Sequence, residues 1–130
     1  MHEWRSHTAE VELVIEAGSA EEVFAEAATA FAELVAIEDD GPEARHEVRL
    51  EAPDNASLLV AWLEELIFLT ETDGFVPEEV TALQLGERTL NACVRGRRVR
   101  VNPLVKAATY HDLQFVRENA SWRAQVVLDV

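Results

Sequence analysis

Residues 9–35 read AEVELVIEAGSAEEVFAEAATAFAELV and hold a strand pattern followed directly by a helix pattern. Over residues 9–16 an apolar side chain stands at every second position, which is typical of a half-buried β-strand. Gly18 interrupts the alternation, and Ser19 with Glu22 forms a capping box, in which each side chain satisfies a free amide of the first helical turn. Apolar residues then recur every three or four positions to the end of the quoted stretch, so the sequence predicts an amphipathic helix after the strand.

The same strand-then-helix order is repeated once further along the chain. Residues 46–52 alternate in the same way as the first strand. Asp54 or Asn55 can cap a second helix, which the Asp-Gly pair at 73–74 ends. Four later segments have strand character: residues 80–85, 89–94, 104–117 and 122–130. This order predicts an α+β fold, a single domain over residues 1–130, with largely antiparallel β-sheets and two amphipathic helices packed on them.

Length and charge restrict the kinds of partner. The chain has 130 residues, 48% of them hydrophobic, which is enough to bury one core. Its 25 acidic and 11 basic residues give a net charge of −14, which argues against binding DNA, RNA or an anionic membrane directly and favours cations or basic protein surfaces. Cys93 is the only cysteine, so no disulfide forms within the chain, and a reducing, cytoplasmic setting is expected.

Two acidic residues near the ends of the chain are candidate metal ligands. Glu10 lies on the polar face of the first predicted strand, and Asp129 lies on the polar face of the last one. The α-carboxylate of Val130 follows Asp129 directly. If the two strands are neighbours, three carboxylates converge, a ligand set that suits Ca²⁺, Mg²⁺ or Mn²⁺ and not zinc. The alternative is that both acids are solvated surface residues, which is the commoner situation for carboxylates.

The segment Lys106-Ala107-Ala108-Thr109-Tyr110-His111 combines a cation with aromatic rings. An extended backbone would place Lys106 and Tyr110 on one face and His111 on the other. Such a face can bind an anion or stabilise a carboxylate cluster, or Lys106 can simply pair with an acid on a neighbouring strand. Lys106 is the only lysine beside ten arginines, which favours a role for a compact ammonium group.

The remaining polar motifs predict little chemistry. His7 is expected to orient a neighbour through a ring nitrogen, and His2 and His46 are expected at the surface. Residues 95–100 form the only basic cluster, which we interpret as a solvated hairpin with a turn at Gly96 and not as an RNA contact. Glycine-rich phosphate loops and known nucleophile motifs are missing, so the sequence does not predict an enzyme.

Four segments together resemble one protein family, the archeases. They are HTAE at 7–10, similar to the family's H-T-A-D opening; residues 59–75, similar to its second helix and exit turn; KAATYH at 106–111, similar to its K-A-x-T-Y-H; and VLDV at 127–130, similar to its ending. Their order and spacing cover essentially the whole chain. The resemblance implies the archease fold and a non-enzymatic accessory protein that activates an RtcB-type RNA ligase in tRNA splicing, tRNA processing and RNA repair.

The family's activity, as the resemblance implies it, is to promote guanylylation of the ligase histidine and multiple turnover, with RNA met only through the ligase. Carried onto this chain, the metal site consists of Glu10, Asp129 and the terminal carboxylate of Val130, with calcium as the expected ion and Mg²⁺ or Mn²⁺ as alternatives. Lys106 matches the functional lysine. Glu10 departs from the family's Asp at this position and carries its carboxylate one methylene further out.

Three further residues are expected around this site by the same resemblance: His7, Tyr110 and His111. Two other functions remain open. One is a stand-alone metal-dependent hydrolase or small-ligand-binding protein that uses the same carboxylates. The other is a general chaperone-like module that binds many clients through apolar patches and does not need Asp129.

Overall fold

The structure is a computed structural model that describes residues 1–7, 9–37, 40–101 and 105–130, and of His7 the backbone alone. Within these residues the elements are β1 (His2–His7), β2 (Glu10–Ala17), α1 (Ala20–Val35), β3 (Glu43–Glu51), α2 (Asn55–Asp73), β4 (Phe75–Leu85), β5 (Thr89–Arg98), β6 (Ala107–Glu118) and β7 (Ser121–Asp129). The predicted α+β class is therefore confirmed.

The strands form two antiparallel sheets. The larger has the order β1-β2-β7-β6 and the smaller the order β3-β5-β4. Helix α1 packs on β2 and β4, and α2 packs on β6, β4 and β3, so each helix contacts both sheets. The largest fully buried side chains come from both helices and both sheets, among them Phe24, Phe31, Trp62, Phe75, Leu13, Ile15, Leu90 and Leu128. Neither described helix is long and apolar enough to cross a membrane.

Both helices begin where their caps predict. The Ser19 hydroxyl accepts a hydrogen bond from the Glu22 amide at 3.2 Å, and the Glu22 carboxylate accepts one from the Gly18 amide at 3.1 Å. Asp54 caps α2 by accepting from the Ser57 amide at 2.8 Å. The bonds to the Glu22 and Ser57 amides satisfy backbone donors that the first helical turns leave free, and the bond from Gly18 ties the residue before the Ser19 cap to the helix.

Two features of the fold differ from the pattern of the sequence: the strand β1 and the position of Gly96. β1 pairs with β2 along its whole length, and its one hydrophobic residue, Trp4, packs partly buried against the core. Gly96 was expected in a turn, and that expectation is wrong, because β5 continues through it to Arg98. The glycine is needed for a different reason. A Cβ there would lie 2.1 Å from the Val76 carbonyl oxygen, so only glycine allows β4 to approach this closely.

Two histidines that were expected at the surface are largely covered. The side chain of His2 is 14% exposed, with Nδ1 2.8 Å from a Glu26 oxygen and Nε2 2.7 Å from a Glu33 oxygen. Burial alone would lower the pKa of His2, but its hydrogen bonds and charge interactions with Glu26 and Glu33 outweigh burial and raise it. His46 is likewise partly covered and lies 3.1 Å from an oxygen of Asp73 at the end of α2. Both contacts join a strand to a helix.

Candidate metal centre

A single register row crosses all four strands of the larger sheet. The backbone of His7 on β1 is opposite Glu10 on β2, Glu10 is opposite Asp129 on β7, and Asp129 is opposite Ala107 on β6. Directly opposite residues on antiparallel strands have Cα atoms about 4.5–5.5 Å apart and project to the same side of the sheet. The expectation that the strands bearing Glu10 and Asp129 are neighbours is therefore confirmed.

The face to which these carboxylates project is set by the core residues beside them. Val11 packs against the core, its partner Leu128 is fully buried, and both alternate with the acidic pair. Glu10 and Asp129 consequently lie on the face away from the core, where each is half-buried. Half-burial matters because it strengthens the attraction of a carboxylate for a cation relative to full exposure in water.

Backbone hydrogen bonds bring the last residue of the sequence to the same place. The Val130 amide donates to the Ala9 carbonyl at 3.1 Å, directly before Glu10. The Lys106 amide donates to the Asp129 carbonyl at 2.8 Å. Ala9 has a φ of +59°, a left-handed conformation that costs a non-glycine residue roughly 1–2 kcal/mol. The backbone of Glu10, Asp129, Val130 and Lys106 thus meets at one end of the sheet.

A residue that sequence reasoning missed anchors the strand next to Lys106. Glu64 of α2 accepts a hydrogen bond from the Ala108 amide through Oε1 at 2.9 Å. Its neighbours Leu63 and Leu66 are fully buried. Glu64 is itself exposed and stands next to Glu65, so the sequence carries no signal that singles out this contact.

Tyr110 and His111 lie in a bulge of β6. The pairing of β6 with β7 is interrupted between Thr109 and Gln114, and Asp112 has a φ of +53°. The expectation of one regular extended strand through this segment is therefore wrong beyond Thr109. Both rings are exposed, and the His111 imidazole lies 3.2 Å from the carboxylate of Asp112.

The donor set fits a hard divalent cation. Glu10 and Asp129 supply two side-chain carboxylates, and the described side chains contain no group of three or more histidine, cysteine or acidic residues that could hold a metal. The third ligand that the family resemblance implies is the α-carboxylate of Val130. The side chain of His7 lies outside the described residues. Oxygen ligands alone, with positions left for water, are what Ca²⁺ and Mg²⁺ accept in proteins.

The basic cluster at residues 95–100 is largely neutralised within the molecule. Arg95 lies within 4 Å of carboxylate oxygens of Glu43, Glu78 and Glu79, and Arg98 contacts Asp73 at 2.9 Å. These ion pairs balance the charge of the cluster with acids of strands β3 and β4 and of helix α2. It differs from the expected hairpin, because most of the cluster is the regular end of β5.

Nearly the whole chain is similar to one family of known proteins. A family profile described as the Archease protein family matches residues 2–130. "Protein archease" of Methanosarcina mazei is 35% identical, with 99% of this chain and 95% of the relative covered. "Protein archease" of Methanopyrus kandleri is 31% identical, with 95% of each covered.

Two solved structures share the architecture. The solution structure of Methanobacterium thermoautotrophicum protein 1598 is 27% identical, with a TM-score of 0.70 and coverage of 99% of this chain and 98% of that one. The crystal structure from Thermotoga maritima, described as an archease and possible chaperone, is 24% identical, with a TM-score of 0.70 and coverage of 100% and 98%. The second likeness bears on the fold alone.

Proposed function

This chain belongs to the archease family, and from that premise we propose that it is a metal-binding accessory protein, not itself an enzyme, that activates an RtcB-type RNA ligase. In this role it promotes guanylylation of the ligase histidine and lets the ligase act through many turnovers in tRNA splicing and RNA repair. The observation that carries the proposal is the register that sets Glu10 opposite Asp129 at the edge where the sequence ends.

The proposed metal ligands are Glu10, Asp129 and the α-carboxylate of Val130, with calcium as the ion. The two side-chain carboxylates lie on the same face of adjacent strands, and the Val130 amide is tied to the turn before Glu10. A bound divalent cation would neutralise the negative charge that builds up where a nucleotide phosphate meets these carboxylates. Glutamate in place of the family's aspartate keeps a carboxylate at this position with a longer reach.

Lys106 is proposed to act beside the metal ligands as the group that contacts a phosphate. Its backbone is bonded to Asp129, and its side chain is exposed at the start of β6. An ammonium group on a flexible stem can follow a phosphate oxygen during a reaction, whereas a guanidinium fork imposes a fixed planar geometry. Together Glu10, Asp129 and Lys106 form an activating edge that positions metal, nucleotide or the ligase histidine.

The charge of the chain supports a protein partner over direct contact with RNA. A net charge of −14 repels phosphate backbones and attracts a basic surface such as that of an RNA ligase. The arginines at the end of β5 are already paired with acids of this chain. RNA is therefore met only through the ligase.

The deciding experiment is a guanylylation and ligation assay with an RtcB-type ligase. Labelled GTP and a cleaved RNA are supplied with and without this protein, in Mg²⁺, Mn²⁺ or Ca²⁺. We expect this protein to raise ligase-bound guanylate and to allow many joined RNAs per ligase, and we expect E10Q, D129N and K106A to abolish that gain. The matched control is E16Q, on the same face of β2 but at its other end.

Two outcomes would overturn the proposal. One is a ligase that turns over equally well with the wild type and with D129N. The other is metal-dependent hydrolysis of a simple phosphodiester by this protein alone, which would instead support the stand-alone hydrolase.

A further inference from the structure

Strand β3 lies at the edge of the smaller sheet and ends at prolines on both sides. It runs from Glu43 to Glu51 with the sequence EARHEVRLE, between Pro42 and Pro53. In the part of the chain that the structure describes, β5 is its only hydrogen-bonded neighbour. Proline lacks an amide donor, so the two prolines limit the strand to a nine-residue segment that can pair further.

The free edge of β3 carries backbone groups from its odd-numbered residues. The Arg98 amide donates to the Pro42 carbonyl, and the Ala52 amide donates to the Arg88 carbonyl. In an antiparallel pair the bonded residues alternate, so the even-numbered residues of β3 exchange hydrogen bonds with β5. The amides and carbonyls of residues 43, 45, 47, 49 and 51 therefore point away from the sheet.

The same odd-numbered residues form a row of alternating charge on the outer face. The row reads Glu43, Arg45, Glu47, Arg49, Glu51. The side chains of Arg45, Glu47 and Arg49 are 70%, 73% and 80% exposed. Their ion pairs within the chain are long, at 3.9 Å for Arg45 with Glu43 and 3.8 Å for Arg49 with Glu47, and exposed pairs of this kind contribute little stability.

We propose that β3 pairs antiparallel with β3 of a second copy of this chain, joining the two smaller sheets into one continuous sheet. The charge row is a palindrome, so it complements itself. With the two-fold axis at His46, Glu43 faces Arg49 of the second copy and Arg45 faces Glu47. With the axis at Val48, Arg45 faces Glu51 of the second copy and Glu47 faces Arg49. In both registers every charged pair of the overlap is attractive.

The alternation of charge along β3 is the reason why we expect a second copy of this chain, and not another protein, to pair with this edge. Charged edge strands commonly prevent pairing, but a row of one sign does so by repelling every register. Here the registers with the axis at Arg45, Glu47 or Arg49 set like charges opposite each other, and a shift of the axis by one residue to either side replaces every like pair with an opposite pair. Either favoured register also forms about eight backbone hydrogen bonds between the copies.

The net charge of each copy opposes association at long range, and salt limits that opposition. At physiological ionic strength charges further apart than about 8 Å are largely screened, whereas opposite residues on paired strands are closer than this. The attraction between oppositely charged residues that face each other across the two β3 strands therefore outweighs the long-range repulsion between the copies. The edge strand β3 belongs to the smaller sheet, so the proposed metal centre on the larger sheet is not part of the contact between the copies.

Sedimentation velocity at about 0.15 M salt tests the proposal. We expect the wild type to be a dimer in the micromolar range. R45E/R49E has a row of five glutamates, and E43R/E47R/E51R has a row of five arginines. Each variant alone should sediment as a monomer, and an equimolar mixture of the two should recover the dimer, which general destabilisation of either variant cannot produce.

The control R5E/R117E makes the same change in charge away from β3 and should remain a dimer. Circular dichroism establishes that each variant is folded. A wild type that is monomeric up to several hundred micromolar overturns the proposal. So does a mixture of the two single-sign variants that stays monomeric, or an R45E/R49E variant that dimerises like the wild type.

Discussion

Glu10 lies opposite Asp129 across the β2–β7 pair, although the two residues come from opposite ends of the sequence. The register is held by buried neighbours. Leu13 faces Val126, and both are fully buried. A slip of one residue would turn these side chains toward solvent and the carboxylates toward the core, at a large cost in hydrophobic burial. The packing of the core thus sets the position of the proposed metal ligands.

The first prediction concerns metal affinity. Removing either carboxylate charge, by E10Q or D129N, should weaken calcium binding by at least about tenfold, because affinity for Ca²⁺ depends on the number of charged oxygen ligands. Isothermal titration calorimetry measures the affinity, and E16Q serves as the control that should bind like the wild type. Equal affinity of D129N and the wild type would contradict the site.

Much of this architecture could be predicted from local patterns. Alternation located β2, β3 and β7, and the caps Ser19 and Asp54 located both helix starts. β1 escaped prediction because an edge strand of mostly polar residues has no apolar alternation. Gly96 was misplaced because a glycine that permits close approach of a neighbouring strand is indistinguishable, in sequence, from a glycine in a turn.

The candidate metal centre was harder to predict from the sequence than the fold. Alternation assigns Glu10 and Asp129 to the polar faces of their strands, but it does not say which strands are neighbours, because sheet order depends on contacts between distant residues. The family resemblance supplied that link. The bond from the Ala108 amide to Glu64 was missed for a related reason, since it joins a helix to a strand far along the chain.

The second prediction concerns pH. The pKa of His2 is raised in the folded chain, so its contribution to stability is fully present below the ordinary value of 6.5 and is lost as pH rises through the higher folded value. The difference in unfolding free energy between the wild type and H2Q should therefore be larger at pH 6 than at pH 8.5. We expect a change of less than about 1 kcal/mol, measured by urea unfolding.

The acids around His2 provide the matched control for that experiment. The hydrogen bond with His2 outweighs burial and lowers the pKa of Glu26 below its ordinary value of 4.5, so Glu26 remains ionised throughout the range used. In a chain that carries E26Q and E33Q, the effect of H2Q should be the same at both pH values. If the effect of H2Q still depended on pH in the E26Q/E33Q chain, the pH dependence would arise from groups other than Glu26 and Glu33.

The third prediction tests the close approach of β4 and β5. Gly96→Ala would place a Cβ 2.1 Å from the Val76 carbonyl oxygen and 2.9 Å from the Phe75 ring, so the strands must separate. We expect a loss of about 3 kcal/mol in unfolding free energy. Gly18→Ala is the comparison, because its Cβ would meet only the Glu22 side chain at 3.4 Å, and it should change stability by less than about 1 kcal/mol. Similar stability of the two variants would refute the argument.

The last prediction separates a positioning residue from the groups it positions. Glu64 holds the Ala108 amide two residues beyond Lys106, so E64A should free the start of β6 and reduce activation of the ligase toward the level seen with K106A. E64Q keeps an oxygen that can accept the same bond and should restore activation. Because Glu64 is not a proposed metal ligand, calcium affinity should stay within about twofold in both variants. Loss of calcium binding in E64A, or failure of E64Q to restore activation, would show that the carboxylate acts in some other way.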